Sequence, residues 1–148
     1  MLFACWTSAC RKAVLPVVEK HRHLMFYPLQ YEGLEQSPNI FYTGLAPNQQ
    51  ILPGVRWALD NLGKKIYLLG SDYIFPRTAN RIIRDLARAG GGTLVAERYR
   101  PLGDAGFDAI VAELQDMKPD VVLNTLNGDS NLHFFRALHA AGLDALPV

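Results

Sequence analysis

The sequence predicts an α/β protein built on Rossmann-like parallel sheets with helices on both faces. Short apolar runs alternate with longer segments of helical periodicity along most of the 148 residues, and this alternation implies βαβ units. The run Ile66–Leu69 is apolar without interruption, as in strands that helices cover on both faces. Residues Phe107, Ile110, Val111 and Leu114 recur at helical spacing, which indicates a helix with one buried face.

The first part of the chain predicts three strands, at 1–6, 23–27 and 39–44, with a polar loop at 29–38. A helix is expected over about 9–20, with Ser8 as its N-cap. Arg11 and three other charged residues of this helix are expected to face outward. Pro16 falls inside the helix and favours a kink or an early end.

From residue 46 the pattern predicts helices at 46–62, 76–89, 105–117 and 131–141, and strands at 65–70, 93–99 and 120–125. The glycine run at 90–92 follows a helix, so it is expected to terminate that helix rather than cradle a phosphate. The regular rhythm is broken at 28–50, which indicates a crossing between domains. We therefore expect one domain segment at 1–43 and another at 44–148.

Composition and motifs exclude several classes of function. The formal charge is +1 with no basic block, which argues against nucleic acid as a partner. The apolar runs are too short to span a membrane. Cys5 and Cys10 lack zinc or redox spacing, and a helical segment would make their side chains diverge, so we expect free thiols. No histidine cluster or nucleotide motif is present, so we expect neither a metal nor a cofactor.

The two ends of the sequence are abrupt. Residues 1–5 are apolar but lack the basic region of a signal peptide, so no signal peptide is expected in this chain. Residues 146–148 stop where a new strand would begin. The chain is therefore expected to be part of a larger protein.

Polar residues follow three predicted strands, at 5–8, 70–73 and 124–130. In open α/β sheets, ligands bind at the carboxyl ends of strands, where helices begin. We therefore expect these turns to contribute to one pocket. Each residue also has a simpler interpretation: Ser8 as a helix cap, Asp129 as a turn residue, and Tyr27 and Tyr73 as edges of the core.

Five stretches occur in a characteristic order: CWTSACRKAV at 5–14, FYPLQYEG at 26–33, APNQ at 46–49, GSDYIFPR at 70–77 and NTLNGDSN at 124–131. Together they resemble type I periplasmic binding proteins of the branched-chain amino-acid class, and in particular the subgroup that binds urea and short-chain amides for ABC transporters. A related protein of that subgroup senses amides and regulates an amidase operon. In the amide sensor a hydroxyl residue and a proline stand where this chain has Leu29 and Gln30, so the chain follows the urea-type pattern.

The resemblance implies a fold of two lobes that clamp a ligand. Residues 1–43 would be the later part of the first pass through lobe 1, and residues 44–148 the first pass through lobe 2. The implied ligand-binding residues are Ser8, Tyr27, Gln30, Tyr73 and Asp129. Ser8 would donate to the carbonyl of a neutral amide or urea, Asp129 would accept from its N–H edge, and tyrosine rings would cover its plane.

The resemblance further implies a periplasmic, non-enzymatic protein that delivers its ligand to an ABC permease. Three alternatives stay open at this point: a cytoplasmic amide sensor that regulates transcription, a branched-chain amino-acid binding protein, and a small α/β enzyme. Strands at 1–43 would lack sheet neighbours, so homodimerisation through strand edges is a further expectation.

Overall fold

A computed structural model describes all 148 residues. The chain divides into two compact units, Met1–Pro53 and Gly54–Val148, and each is considered by itself. Both units are built from parallel strands and helices that alternate along the chain. The predicted α/β class with helix-flanked parallel sheets is therefore confirmed. No helix combines the length and the apolar character that crossing a bilayer requires.

Unit 1 contains a sheet of three parallel strands in the order β1-β2-β3, formed by Leu2–Phe3, Met25–Tyr27 and Ile40–Tyr42. Helix α1, Ser8–Lys20, connects the first two strands and continues through Pro16 without ending there. Its buried Val18 packs with Met25, Tyr27 and Ile40 to form the core of this unit. The helix therefore covers one face of the sheet.

The other face of this sheet carries a row of phenylalanines. The strand register aligns Phe3 with Phe26 and Phe26 with Phe41, and their rings stack with centroids 5.0 and 5.1 Å apart. Phe3 and Phe41 are 70% and 54% exposed. Apolar side chains on this face are thus left open to solvent in the chain.

Helix α2, Pro47–Asn61, contains the boundary between the units. It begins with a proline at its first position, where no N–H donor is needed. The side chain of Gln49 bonds back to the amide of Ala46 at 3.0 Å, which is one half of a capping box. These local features explain why the helix starts where the sequence predicts.

Unit 2 contains a second parallel sheet, in the order β5-β4-β6. The strands are β4 (Lys65–Ser71), β5 (Thr93–Arg100) and β6 (Val121–Thr125), and the helices are α3 (Ile74–Ala89), α4 (Asp108–Met117) and α5 (Ser130–Ala140). Every residue of β4 after Lys65 is buried. Tyr67 and Leu69 pack in one cluster with residues of α4 and α5, including Leu114 and Phe134.

Helix α4 starts later than predicted. Asp104 bonds the amide of Gly106 at 3.0 Å and pairs with Arg100 at 2.6 Å, and these contacts hold residues 101–107 as a loop. The predicted periodicity of this helix is confirmed, because Ile110, Val111 and Leu114 are buried. The helix therefore presents the face that the sequence indicates, over a shorter length.

Candidate functional site

Ser8 does not cap helix α1, contrary to the prediction. Thr7 is the N-cap: its backbone is extended (φ −104°, ψ 153°) and its hydroxyl accepts a bond from the amide of Cys10 at 3.2 Å. Ser8 is the first helical residue, is 1% exposed, and accepts a hydrogen bond from Arg11. Because Thr7, one residue earlier, caps the helix, the Ser8 hydroxyl is not needed for capping.

Arg11 is fully buried, which corrects the prediction that it faces outward. Its Nη1 donates to Ser8 Oγ at 3.1 Å, its Nη2 to Glu32 Oε2 at 2.7 Å, and its Nε to Glu35 Oε1 at 2.7 Å. Lys12 adds a second cation, 2.9 Å from Glu35 Oε2. A buried guanidinium is stable only when it is paired in this way, and the pairing fastens the loop after β2 onto α1.

Three tyrosine rings surround this guanidinium. Its carbon lies 4.7 Å from the ring centre of Tyr27, 5.6 Å from that of Tyr31 and 5.9 Å from that of Tyr42. The hydroxyl of Tyr27 donates to the backbone oxygen of Gln30 at 3.2 Å. Tyr27 is fully buried and Gln30 is half-buried. The structure thus places Ser8 and the Tyr27 ring against Arg11, and it links Gln30 to Tyr27 through its backbone oxygen.

The acids and phenols of this cluster are electrostatically coupled. Burial alone would raise the pKa of Glu35, but hydrogen bonds from Arg11, Lys12 and Tyr42 outweigh burial and lower it to about 2. Burial and the bond to Glu35 raise the pKa of the Tyr42 phenol above its ordinary value. Glu35 is therefore a carboxylate and Tyr42 a neutral donor at neutral pH.

Cys5 and Cys10 form a disulfide, which overturns the expectation of free thiols. Cys5 lies before the helix in the left-handed region (φ 69°), not on the helix itself. The chain therefore turns back over the first helical turn, and the Cα atoms lie 5.4 Å apart, within the span of a disulfide. The bridge closes a short loop that contains Thr7 and Ser8.

In unit 2, buried polar groups link the carboxyl ends of β4 and β6. Ser71, fully buried at the end of β4, accepts a hydrogen bond from the amide of Asn127 at 2.9 Å. The hydroxyl of Thr125 lies 2.9 Å from Asn80 Oδ1 of α3. A Cβ on Gly70 would come within 2.5 Å of that hydroxyl, so glycine is required at this position. These contacts fix the start of the turn after β6, which carries Asp129.

The asparagines of this turn bond to the turn itself. Asn124 accepts from the amide of Leu126 at 2.8 Å and donates to Asn131 at 2.9 Å. Asn131 in turn donates to the carbonyl of Leu126 at 3.0 Å, and Asn127 to that of Thr125 at 3.1 Å. The amide side chains therefore shape the turn, as the simpler interpretation of such residues predicts.

Asp129 lies at the N-cap position of α5 but does not cap it. Its backbone is already helical (φ −65°, ψ −19°), and its side chain makes no bond to the first amides of the helix. The carboxylate is exposed and has neither a hydrogen bond nor an ion pair within the chain. It is therefore a charged acceptor without an intramolecular partner.

Tyr73 is the N-cap residue of α3, with an extended backbone (φ −153°, ψ −178°) and no capping bond from its side chain. It is half-buried. Nearby, Asp72 pairs with Arg77 at 2.7 Å, and the Arg77 guanidinium lies 4.3 Å from the ring centre of Tyr99. Burial and a bond to Glu97 raise the pKa of Tyr99 to about 12. The β4 end thus combines Tyr73 with a paired acid, whereas the β6 end carries an unpaired one.

Sequence reasoning missed the cluster around Arg11. Two signals were available: Arg11 lies one helical turn after Ser8, on the same side of α1, and the polar loop carries two acids at Glu32 and Glu35.

No group of three or more His, Cys, Asp or Glu side chains surrounds a common point suited to a metal ion.

Comparison with known protein families identifies one that matches the whole chain. A model of the periplasmic binding protein domain matches residues 1–148. The chain resembles a solute-binding protein of an ABC transporter from Rhodopseudomonas palustris BisB5, solved with 3,4-dihydroxybenzoic acid, with 25% identity and a TM-score of 0.83 over 93% of this chain and 38% of that one. A second R. palustris solute-binding protein, solved with 4-hydroxybenzoate, has 26% sequence identity and a TM-score of 0.81 over 90% of this chain and 37% of that one.

A fatty acid ABC transporter substrate-binding protein from Thermomonospora curvata shares the fold, with 20% identity and a TM-score of 0.79 over 97% of this chain and 36% of that one. The chain therefore spans well under half the length of these solved proteins.

Proposed function

Because the chain belongs to the periplasmic binding protein domain family, we propose that it is part of the substrate-binding component of an ABC transporter for urea or a short-chain amide. In the intact protein, residues 1–43 would belong to lobe 1 and residues 44–148 to lobe 2. The proposed ligand contacts are Ser8, Tyr27, Gln30, Tyr73 and Asp129. The protein would bind its ligand without converting it and pass it to a permease.

The observation that carries the choice of ligand is the unpaired carboxylate of Asp129. It is exposed, charged and free of a capping bond, so its acceptor capacity is available to a ligand. Urea and short amides offer N–H donors on a neutral frame, and a hydrogen bond to an ionised acceptor is stronger than one to a neutral acceptor. The aromatic acids bound by the R. palustris proteins carry a carboxylate, which an unpaired acid would repel.

Ser8 supports a carbonyl-bearing ligand from unit 1. Its oxygen accepts from Arg11, which leaves the hydroxyl proton to donate. Ser8 and Tyr27 are 1% and 0% exposed, so the support from unit 1 is the donor capacity of the Ser8 hydroxyl and not an open surface.

The Cys5–Cys10 disulfide favours an extracytoplasmic protein over the alternative of a cytoplasmic amide sensor. Disulfides persist in the bacterial periplasm and are rare in the cytosol, where thiols are kept reduced. We therefore keep the periplasmic location that the family suggests.

The test is calorimetric titration of the intact protein with urea, acetamide, leucine and 4-hydroxybenzoate. We expect saturable binding of urea or acetamide and no comparable binding of the other two ligands. Tight binding of leucine or 4-hydroxybenzoate without any response to the amides would refute the proposed ligand. Release of ammonia from urea or acetamide would instead indicate an enzyme.

A further inference from the structure

We propose that Arg11 is a positioning residue for ligand recognition, which orients the Ser8 hydroxyl so that it donates to the carbonyl oxygen of the ligand. This inference rests on the proposed function. It adds a residue that does not itself contact the ligand. It also gives the buried ion cluster of unit 1 a role in specificity.

The geometry of Arg11 leaves little freedom to the Ser8 hydroxyl. Arg11 Nη1 donates to Ser8 Oγ at 3.1 Å, and both side chains are essentially out of water. The guanidinium N–H and the Ser8 O–H both carry partial positive charge on hydrogen and repel each other. The Ser8 proton must therefore point away from the guanidinium. A neighbouring cation also strengthens the hydroxyl as a donor, because hydrogen bonds in series polarise one another.

The guanidinium itself is held on all sides. Its other nitrogens bond Glu32 Oε2 and Glu35 Oε1 at 2.7 Å each, and the Tyr27 ring lies against it with 4.7 Å to the ring centre. Arginine suits this place because its planar fork reaches several acceptors in fixed directions, whereas lysine acts as a point charge. The loop after β2 thus holds Arg11, and Arg11 in turn fixes the orientation of the Ser8 hydroxyl.

Electrostatics gives the cluster a second consequence. Arg11 and Lys12 are balanced by the two carboxylates of Glu32 and Glu35. The cluster therefore carries no net positive charge that would favour an anionic ligand group over a neutral one. A neutral carbonyl is then the acceptor that the Ser8 proton suits best.

A double-mutant cycle tests the inference, with acetamide affinity measured by calorimetry on the intact protein. The variants are Ser8→Ala, Arg11→Lys and both together, with Arg84→Lys as a matched control, since Arg84 pairs with Glu97 in unit 2. We expect each single change at Ser8 or Arg11 to weaken binding on the order of five- to tenfold. In the Ser8→Ala background, Arg11→Lys should cause no further loss, because its effect acts through the hydroxyl. Arg84→Lys should leave the affinity unchanged.

Two outcomes would overturn the inference while leaving the proposed function intact: an equal loss from Arg11→Lys with and without Ser8, or an unchanged affinity in Ser8→Ala. Failure of the unaltered protein to bind urea or acetamide would refute the proposed function instead, and is seen before any variant is made. If Arg11→Lys does not fold, as judged by circular dichroism, Glu35→Gln replaces it in the same cycle, because it loosens Arg11 without removing the cation. A loss from Glu35→Gln that persists in the Ser8→Ala background would equally overturn the inference.

Discussion

At the residue scale, Glu35 couples the protonation of unit 1 to its stability. It accepts hydrogen bonds from Arg11, Lys12 and Tyr42, and a carboxylate in that position contributes stability only while it is ionised. Its side chain is 13% exposed, so solvent screens these contacts only in part. The stability of the cluster in acid therefore depends on this group.

We predict a loss of stability in acid that depends on Glu35. Its pKa falls from 4.5 to about 2 on folding, so its contribution is complete above pH 4.5 and is lost as the pH falls toward 2. The loss should be about 2 kcal/mol in the free energy of unfolding, less than the full shift because of screening. Urea-free thermal melts between pH 7 and the acid range, on the original protein and Glu35→Gln, check this. An identical acid profile for both would contradict it.

A second residue prediction concerns Asp129. Replacing it with alanine should weaken urea or acetamide binding by about 10- to 100-fold, because a charged acceptor is lost. Stability should change by less than about 0.5 kcal/mol, since the residue is exposed and caps nothing. Calorimetry and thermal melts on the intact protein separate the two effects. Asp108→Ala, at an exposed acid in the first turn of α4, is the control and should retain affinity. If Asp129→Ala keeps its affinity but loses stability, Asp129 supports its helix and does not contact the ligand.

Individual contacts were the part that the sequence predicted least well. Glu32 and Glu35 lie 21 and 24 residues from Arg11, and nothing local to α1 shows that a loop so far away will cover one of its cations. The same holds for Cys5, whose left-handed backbone brings it back over the helix. By contrast, the polar turn after β6 was predicted, because strand ends and asparagine-rich turns have local sequence signals.

At the element scale, the start of α1 is secured twice: by the Thr7 cap and by the disulfide that encloses it. The strand ends are secured by close backbone approaches as well as by side chains. A Cβ on Gly44 would lie 1.8 Å from the carbonyl oxygen of Leu29, so the loop after β2 passes directly against the end of β3. Both features hold the segment that carries Ser8 and Gln30.

Removal of the disulfide tests the first of these features. We predict that Cys5→Ser with Cys10→Ser lowers the free energy of unfolding by about 2 kcal/mol, because the bridge restricts the unfolded chain over a short loop. Thermal melts with and without a reducing agent measure this; the double variant should no longer respond to the reductant. Mass spectrometry after thiol alkylation should find the bridge in protein isolated without a reducing agent. Fully alkylated cysteines in unreduced samples would contradict the disulfide.

A glycine pair tests the second feature. Gly44→Ala should destabilise the protein by about 2 kcal/mol or more, because backbone must move to admit the methyl group. Gly54→Ala is the matched control: nothing lies within 4 Å of its Cβ position inside α2, and alanine there should stabilise by about 0.5–1 kcal/mol. Chemical denaturation of both variants decides between these signs. Equal effects would mean that the approach of Leu29 is not limiting.

The elements themselves were largely predicted. Apolar runs and helical periodicity located each strand and helix, since these patterns reflect local burial. The strand order β5-β4-β6 was not predicted. Crossovers on either side of β4 produce similar sequence patterns, so side-chain periodicity alone does not decide which strand is central.

At the scale of the whole molecule, unit 1 and unit 2 carry different parts of the proposed ligand recognition. Unit 1 holds a hydroxyl beside a buried guanidinium, and unit 2 holds an unpaired carboxylate at the start of a helix. The chain spans 36–38% of the length of the three solved proteins compared above, so the complete protein is the object in which binding should be measured. In unit 1 the hydroxyl is the proposed donor to a carbonyl, and in unit 2 the carboxylate is the proposed acceptor from N–H groups.

The most direct measurement is a crystal structure of the intact protein grown with urea or acetamide. We predict that a carboxylate oxygen of Asp129 lies roughly 3 Å from a ligand nitrogen, and Ser8 Oγ at a similar distance from the ligand oxygen, with Arg11 still bound to Ser8. A ligand held without Asp129, with that carboxylate turned onto the amides of its own helix, would contradict the account.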